Sequence, residues 1–572
     1  MSRFSYSLFL LLTITTTSSY ADMKLSIKGL SGELAENVDA RISLIPSNKI
    51  DNTPYFKHYF ESEAQKALRA LGYYSPVFQY DDHDPKIMIV EIFPGEPTII
   101  GQLNINVLGE GQYDKDFKEL LSHNLPNIGD VLNHGQYEAF KKSLQNLSLR
   151  KGYFDANMTK HQLAVSNSLH QSFWNIDFNT GQRYKFGKVT FHNEKIRDDY
   201  LANIIPFKEN EAYTAEQLSL FNRRLASTNW FNSVVVAPDF SKVTNDKILP
   251  IDVATSPRKK NSMDLGLGFS TDNGVHGKIG WNKPWINRRG QSLQSNLSLS
   301  SPEQSITMSY KIPLKKSPLV DYYTIQGGYK KIDNNDTDSR SYTFGVLRNW
   351  DNYEGWKRAL GLSVLRDDFT QGDASFKTFL YYPTLSLSRI RTDNNLFAMW
   401  GDSQRYSIEV AGESLGSDIN LVRFQAQQSW IRSIHDSHRF IVRGNFGIIQ
   451  ASNFDRVPPS FRFFAGGDRS IRGYGYQSIS PEDKKGKLKG ASKLITGSVE
   501  YQYNLTGSWW GALFVDSGEA IDKVDKSKFY TGAGFGIRWA SPVGPIKIDL
   551  ATPTNRKDTG SIHLYIGLGT EL

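Results

Sequence analysis

Gly466-Gly467-Asp468-Arg469-Ser470-Ile471-Arg472-Gly473-Tyr474-Gly475-Tyr476 lies in a long connection, from about Ala451 to Ala491, between two runs that read as β-strands. Long connections without secondary structure are uncommon in folded domains and are usually functional or disordered. The quoted stretch carries two arginines, Arg469 and Arg472, and the connection holds the rings of Phe461, Phe463, Phe464, Tyr474 and Tyr476. Its glycines allow close backbone packing. A free surface loop has no use for so many buriable rings, so the loop is expected to fold inward, held by something anionic. Glu500 in Gly497-Ser498-Val499-Glu500-Tyr501 and Asp516 in Phe514-Val515-Asp516-Ser517-Gly518 are the candidate anions.

The surrounding sequence decides what the loop folds into. From Met263 onward helical periodicity is lost, and about sixteen short alternating segments follow one another between turns such as Asp272-Asn273-Gly274. Leu265, Leu267 and Phe269 alternate with Asp264, Gly266, Gly268 and Ser270. In the twelfth segment the apolar set turns Glu500 to the opposite face, and in the thirteenth Leu513 and Val515 do the same for Asp516. Two neighbouring strands then present carboxylates to one Arg472. The alternative is that both acids simply line a wet pore, where such pairing contributes about 0–1 kcal/mol. Trp281, Trp285, Trp350, Trp356, Trp400, Trp509 and Trp510 fall near segment ends, as interfacial aromatic girdles do.

Ile471-Arg472-Gly473-Tyr474 resembles the loop-six signature of the outer-membrane protein-assembly superfamily that includes BamA, TamA and the two-partner secretion transporters. Phe514, Asp516 and Gly518 resemble its partner motif, Phe-x-Asp-x-Gly. The wider stretch Phe463-Phe464-Ala465-Gly466-Gly467-Asp468 is most similar to the TamA branch. Counting agrees: if the N-terminal end is periplasmic, strand one runs outward, and the connection between segments eleven and twelve is the sixth extracellular loop. The resemblance implies a loop-six clamp of Arg472, Gly473, Tyr474, Glu500, Asp516 and Gly518.

The front half carries a weak repeat with a period of about eighty residues, the size of a small α/β module. Gly95-Glu96-Pro97-Thr98-Ile99-Ile100-Gly101 aligns with Gly181-Gln182-Arg183-Tyr184-Lys185-Phe186-Gly187. A second marker, Leu71-Gly72-Tyr73-Tyr74, recurs as Gly152-Tyr153-Phe154 and as Asn229-Trp230-Phe231, each after an amphipathic helical stretch. The glycine, or its substitute Asn229, ends the helix in a left-handed conformation and the rings pack back. Each unit reads strand, helix, helix, strand, strand, which is similar to POTRA modules. Their edge strands suit pairing with extended client segments; a role as spacers is the alternative. Proline at a position such as Ile89 would test pairing if that strand is an edge.

Arg3, the apolar run Leu8 to Ile14 and Ser19-Tyr20-Ala21 read as a secretory signal, too short for a membrane span. The expected fold class is therefore α+β POTRA modules followed by an all-β transmembrane barrel of about 16 antiparallel strands. The divisions are a signal peptide over 1–21, POTRA modules over 22–99, 100–183 and 184–262, and the barrel over 263–572.

Composition narrows the chemistry. The 572 residues include no cysteine, which excludes disulfides, thiolate metal sites, a Cys nucleophile and a lipoprotein anchor. A mean hydropathy of −0.44 with 13 % aromatic residues is too polar for a helical membrane protein but fits a barrel with a wet lumen. The formal charge of +8 comes without a dense basic cluster or nucleic-acid motif, so no nucleic-acid partner is expected. Gly412-Glu413-Ser414-Leu415-Gly416 matches the nucleophile-elbow pattern but sits in a hairpin connection without the helix that chemistry needs. Asp333, Asn335 and Asp338 lack the glycine of a calcium loop, and the histidines lack ligand spacing. No catalytic residue, metal or cofactor is expected, and no enzyme.

The resemblance implies an outer-membrane assembly factor that helps insert and fold β-barrel proteins, autotransporters among them. It implies a TamB-like inner-membrane-anchored partner, unfolded barrel clients and outer-membrane lipids. The alternative is a two-partner secretion transporter, which carries two POTRA modules and a plug helix. The barrel's seam is expected between the first strand, with Gly266, Leu267 and Gly268, and the last, with Ile566, Gly567 and Gly569, which must pair to shut the sheet. Both are glycine-rich and lack cross-strand side chains, and the chain's close in Thr570-Glu571-Leu572 rather than an aromatic residue suggests loose closure. Leu267 and Ile566 are the first pair to cross-link.

Overall fold

The computed structural model describes residues 23–568 apart from 85, 194, 352–354, 394, 543 and 555–561. The signal segment 1–21 and the seam residue Gly569 with Thr570, Glu571 and Leu572 lie outside the described residues. Three small α/β sheets precede one large antiparallel sheet.

The first contains β1 (Lys24–Lys28), α1 (Gly32–Ile42), α2 (Pro54–Ala70), β2 (Val77–Asp84) and β3 (Ile87–Phe93). Thr53 caps α2 by accepting from the Phe56 N–H, and Pro54 opens it where no donor is needed. The helix lays Phe60, Ala64, Ala67 and Leu68 onto Met88, Val90 and Ile92 of β3. The second contains β4 (Ile99–Leu108), α3 (Lys115–His123), α4 (His134–Lys151), β5 (Asn157–Ser166) and β6 (Gln171–Asn179). The third contains β7 (Lys185–His192), α5 (Asp198–Leu201), α6 (Ala215–Ser227), β8 (Phe231–Pro238) and β9 (Ile248–Pro257). Gly72, Gly152 and Asn229 have φ of 90°, 83° and 60°, so each recurring marker is a left-handed helix stop.

In each sheet the last strand lies in the middle, in the orders β1-β3-β2, β4-β6-β5 and β7-β9-β8. Its pairing is parallel to the first strand and antiparallel to the second in the first two sheets. This corrects the reading of Ile89: it is on the central strand, bonded between Ser26 and Asp81, while β1 and β2 are the edges. The chain's contacts form two compact units, one holding the first two sheets and the other the large sheet, with segments of the third sheet divided between them.

The large sheet has sixteen strands in sequence order. They are β10 (Ser262–Ser270), β11 (Gly274–Lys283), β12 (Ser292–Leu299), β13 (Glu303–Pro313), β14 (Asp321–Asn334), β15 (Thr337–Trp350), β16 (Lys357–Gln371) and β17 (Ala374–Thr392). There follow β18 (Gly401–Ala411), β19 (Leu421–Ile434), β20 (His438–Ala451), β21 (Lys493–Thr506), β22 (Trp509–Ile521), β23 (Tyr530–Ser541), β24 (Gly544–Pro553) and β25 (His563–Leu568). The sheet curls into a nearly closed barrel with an apolar exterior. On β21, for example, Ile495 and Val499 are exposed while Thr496, Ser498 and Glu500 face inward. Among the described residues no helix is long and apolar enough to cross a membrane.

The seven tryptophans expected at girdles all fall at one end of the barrel, the end at which the chain enters β10, and Trp430 and Trp539 join them there, but Trp510 is buried on the inward face of β22 against Phe397 and is no girdle residue. The sequence showed only that they lay near strand ends; the up-and-down order of the strands decides which end. The long connection after β20 opens at the opposite end.

Ile89→Pro removes a ladder donor from the middle of the first sheet. It is expected to unfold that module and leave the barrel intact. Limited proteolysis of the full chain should trim residues before Ile99 while the barrel resists; equal resistance of the first module in both proteins would contradict the central placement.

Candidate functional site

The long connection runs back into the barrel. Phe463 bridges Ala491 and Ala465 bridges Ile479, so the loop builds its own short ladder. Phe461, Phe463, Ala465, Ile471, Tyr474 and Ile479 are buried against Leu380, Leu421 and Leu494 of the barrel wall. Arg462 holds the loop's own turns, donating to the carbonyls of Val457, Asp455 and Lys489 at 2.6–2.8 Å. Beside the loop the lumen retains a polar cavity of about 780 Å³ that Arg405, Arg443, Tyr476 and Lys547 help to line.

Of the two arginines at the loop tip, Arg469 is exposed and Arg472 is 1 % exposed. Arg472 grips Asp516 with one edge of the guanidinium, Nε to Oδ2 at 2.7 Å and Nη2 to Oδ1 at 2.9 Å, and its backbone N–H donates to the same carboxylate at 3.0 Å. Nη1 donates to Glu500 at 2.9 Å and to Asp549 at 3.1 Å. The guanidinium carbon lies 3.4 Å from the Phe514 ring centroid, so the cation also rests on an aromatic face. Such bidentate, charge-assisted geometry is among the stronger arrangements available to a buried pair.

Gly473 has φ of +97°, and a Cβ there would come within 3.0 Å of the Thr552–Pro553 peptide. Its N–H donates to the Tyr565 hydroxyl at 3.0 Å, and that hydroxyl donates to the Tyr474 carbonyl at 2.7 Å. The Tyr474 hydroxyl donates to the Thr531 carbonyl, and its ring meets Tyr530 edge-on. Gly518 faces Thr496 across the β21–β22 ladder, where a Cβ would lie 2.2 Å from the Ile495 carbonyl oxygen. Arg472, Gly473, Tyr474, Glu500 and Asp516 thus meet in one place, with Gly518 one ladder position beyond the Asp516–Ser498 pair's neighbours.

Sequence reasoning missed much of this cluster. Asp549 on β24, Arg538 on β23, Arg443 on β20 and Tyr565 on β25 complete it. Arg538 donates to both Glu500 and Asp549, and Arg443 donates to Glu500 at 3.2 Å. The signal was present: Lys547 and Asp549 alternate with Ile546, Ile548 and Leu550, and Arg538 stands between Ile537 and Trp539. Alternation applied to those strands would have turned them inward too.

The seam departs from expectation. β10 and β25 are the two ends of the strand order, and among the described residues no ladder joins them. Leu265 and Leu267 are about three-quarters exposed on the outer face of β10. Gly266 and Gly268 bond only inward along the sheet, to Lys278 and His276 of β11, and Ile566 and Gly567 to Ile548 and Lys547 of β24. What spans the gap is the turn after β10. Thr271 Oγ1 accepts from the Ile566 N–H at 3.1 Å, Asp272 accepts from the Asp468 N–H at 2.7 Å, and Lys547 donates to Asp468 at 2.6 Å. Ile566 is therefore level with Thr271, four residues beyond Leu267, because tilted barrel strands meet with a stagger. Ser414 lies exposed in a single 3-10 turn, Glu413–Leu415, between β18 and β19.

Residues 259–572 match the Omp85 superfamily domain, residues 24–89 match the first POTRA domain of TamA, and residues 184–256 match a POTRA repeat described as a surface antigen variable number repeat. The outer membrane protein assembly factor BamA of Neisseria meningitidis serogroup B is 23% identical over 442 residues, 66% of this chain and 55% of that protein. BamA of Neorickettsia risticii is 20% identical over 503 residues, 82% of this chain and 65% of that protein. The chain therefore spans between about half and two thirds of these relatives. The crystal structure of BamA from Haemophilus ducreyi lacking POTRA domains 1-3 superposes with a TM-score of 0.68 at 17% identity, covering 82% of this chain and 99% of that one.

Arg472→Ala removes every side-chain ion pair seen for Asp516 among the described residues, whereas Glu500 and Asp549 keep Arg538. Leaving a buried charge unpaired costs about 3–5 kcal/mol. Arg472→Ala should therefore loosen the loop more than Asp516→Ala, and the double variant should lose less than the sum. Proteolysis rates over 451–491 in the membrane-inserted protein measure this; strictly additive effects would mean the two groups are uncoupled.

Proposed function

The chain belongs to the Omp85 superfamily, as an outer-membrane β-barrel with periplasmic POTRA domains, and from that premise we propose that it assists the insertion and folding of β-barrel proteins, autotransporters among them. The observation that carries the reading is a barrel in which, among the described residues, no ladder joins the first and last strands although an arginine-clamped loop holds the wall beside them. The TamA-type first POTRA domain supports a TamA-like role with an inner-membrane-anchored, TamB-like partner.

The chemistry asked of the protein is backbone pairing. An unladdered strand presents a row of N–H and C=O groups, which an incoming strand satisfies by adding to the edge. No covalent bond is made or broken, and the client's own burial of apolar surface supplies the free energy. β10 offers a templating edge with alternating leucines toward lipid. The Thr271–Asp272 turn, tied to β25 and to loop six, keeps that edge covered until a client displaces it. POTRA edge strands β1 and β2 offer comparable rows in the periplasm.

An outer-membrane protein census with and without this chain tests the reading. Depletion of several barrel proteins is expected; loss of a single secreted exoprotein with normal barrels would instead indicate a two-partner transporter. Cysteines at Thr271 and Ile566, in a chain with none of its own, should form a disulfide across the seam. Oxidised protein should lose assembly activity and regain it on reduction; normal assembly by the fully locked form would rule out opening at this seam.

A further inference from the structure

Charge on the periplasmic connections is divided sharply around the barrel. The linker into β10 reads Pro257-Arg258-Lys259-Lys260-Asn261, the β11–β12 turn contains Asn287-Arg288-Arg289, and the β13–β14 turn contains Lys315-Lys316. None of these three connections holds an acid. The five remaining periplasmic connections, 351–356, 393–400, 435–437, 507–508 and 542–543, hold no Lys or Arg and carry Asp351, Glu354, Asp393 and Asp436, although the exposed Lys357 and Arg358 open β16 directly after the first of them. The strand order β10-β11-β12-β13-β14 places the three basic connections side by side, on the first-strand lip of the seam.

The basic connections are held in place largely by their backbones, although the Arg258 guanidinium also donates to Asn229 Oδ1 at 3.2 Å. Trp285 Nε1 donates to the Arg258 carbonyl at 3.0 Å, Trp230 Nε1 to the Gly290 carbonyl at 3.0 Å, and the Arg197 N–H to the Arg288 carbonyl at 2.8 Å. Lys315 is engaged by Asp199 at 2.9 Å. Lys259, Lys260, Arg288, Arg289 and Lys316 are exposed, and among the described residues none makes an ion pair.

Their level in the membrane is set by their neighbours. Met263 and Leu265 project outward from β10 just above the linker, and Lys283 lies over the Trp281 ring, both beside the turn that carries Arg288. Every barrel tryptophan is at this end. Tryptophan rings mark the headgroup layer, and basic side chains at that depth are attracted to anionic lipid by up to a Debye length. We infer that the Arg258–Lys260, Arg288–Arg289 and Lys315–Lys316 connections form a docking surface for anionic phospholipid headgroups of the periplasmic leaflet, gathered on the β10 side of the seam. On the opposite lip the connection between β23 and β24 reads Pro542-Val543 and has no matching charge. The inference depends on the barrel's orientation and not on the assembly activity.

The test uses the full chain reconstituted in phosphatidylcholine vesicles with a trace of spin-labelled phosphatidylglycerol or spin-labelled phosphatidylcholine. The motionally restricted fraction reports lipid held at the protein. Phosphatidylglycerol should be held several-fold more than phosphatidylcholine, and high salt should erase the difference. Lys259→Gln/Lys260→Gln/Arg288→Gln/Arg289→Gln should erase it at low salt. Lys523→Gln/Lys526→Gln, on the connection at the opposite end of the barrel, should keep it. Arg288→Gln/Arg289→Gln alone should give a smaller drop and serves if the fourfold variant does not reach the heat-modifiable, folded form. No preference in the unaltered chain overturns the proposal. So does a preference that survives these substitutions, which would leave the patch to an acidic protein segment.

Discussion

A loop guanidinium buried against the inner wall of a barrel dominates this structure. Removing Arg472 from water is unfavourable unless its donors are met, and Asp516, Glu500 and Asp549 meet them from three different strands. The same three carboxylates need cations in return, and Arg538 and Arg443 supply the rest. The cluster therefore ties β20 to β24 together through side chains, in addition to their ladders. Because Arg472 belongs to the loop, satisfying the charges also fixes where the loop sits. The apolar residues around it, Ile471 and Tyr474 among them, then have a dry place to pack.

The clamp's reach ends at the last strand, and there it changes character. Tyr565 joins β25 to the loop through one hydroxyl that accepts from Gly473 and donates to the Tyr474 carbonyl. Beyond it, the join to β10 consists of a threonine hydroxyl and the Asp272–Asp468–Lys547 chain. A ladder of backbone bonds zips or unzips along its length, whereas a few side-chain bonds at one turn can be exchanged locally. The barrel is thus rigid on the side that holds the loop and weakly joined at the edge next to it. That pairing of a braced wall with an exchangeable edge is what the proposed strand-templating role requires.

The two ends of the barrel differ as much as its two sides. Tryptophans gather at the periplasmic end, and there the basic connections run from the linker into β10 to the β13–β14 turn, with Lys357 and Arg358 at the start of β16 beyond them. In the proposed surface, fixed charge at the headgroup level acts on lipid and not on the fold, since the exposed side chains of Arg288 and Arg289 make no ion pair among the described residues. The weak join and the charged lip share a strand, β10, so lipid composition and edge exposure are brought to the same stretch of membrane.

Much of this was legible in the residues alone, for reasons of period and rarity. Alternation with period two turned Glu500 and Asp516 to one face, since a strand has only two faces to offer. Strand counting put Arg472 on the sixth loop, and Gly72, Gly152 and Asn229 marked helix stops because few residues adopt positive φ. What the sequence could not convey was which strands stand beside each other at what height. Ile89 looks like any strand residue until the last strand inserts between the first two. Asp549 and Arg538 carry the same alternation signal as Glu500, but their membership of one cluster depends on barrel curvature bringing β23 and β24 over the loop tip. The tryptophans announced strand ends without saying which end. Leu267 and Ile566 seemed natural seam partners, yet strand tilt slides Ile566 to Thr271, and the leucines of β10 face outward, paired with β11 and, among the described residues, not with β25. Local periodicity is written in neighbouring residues; stagger and closure are properties of the whole sheet, and only its three-dimensional course determines them.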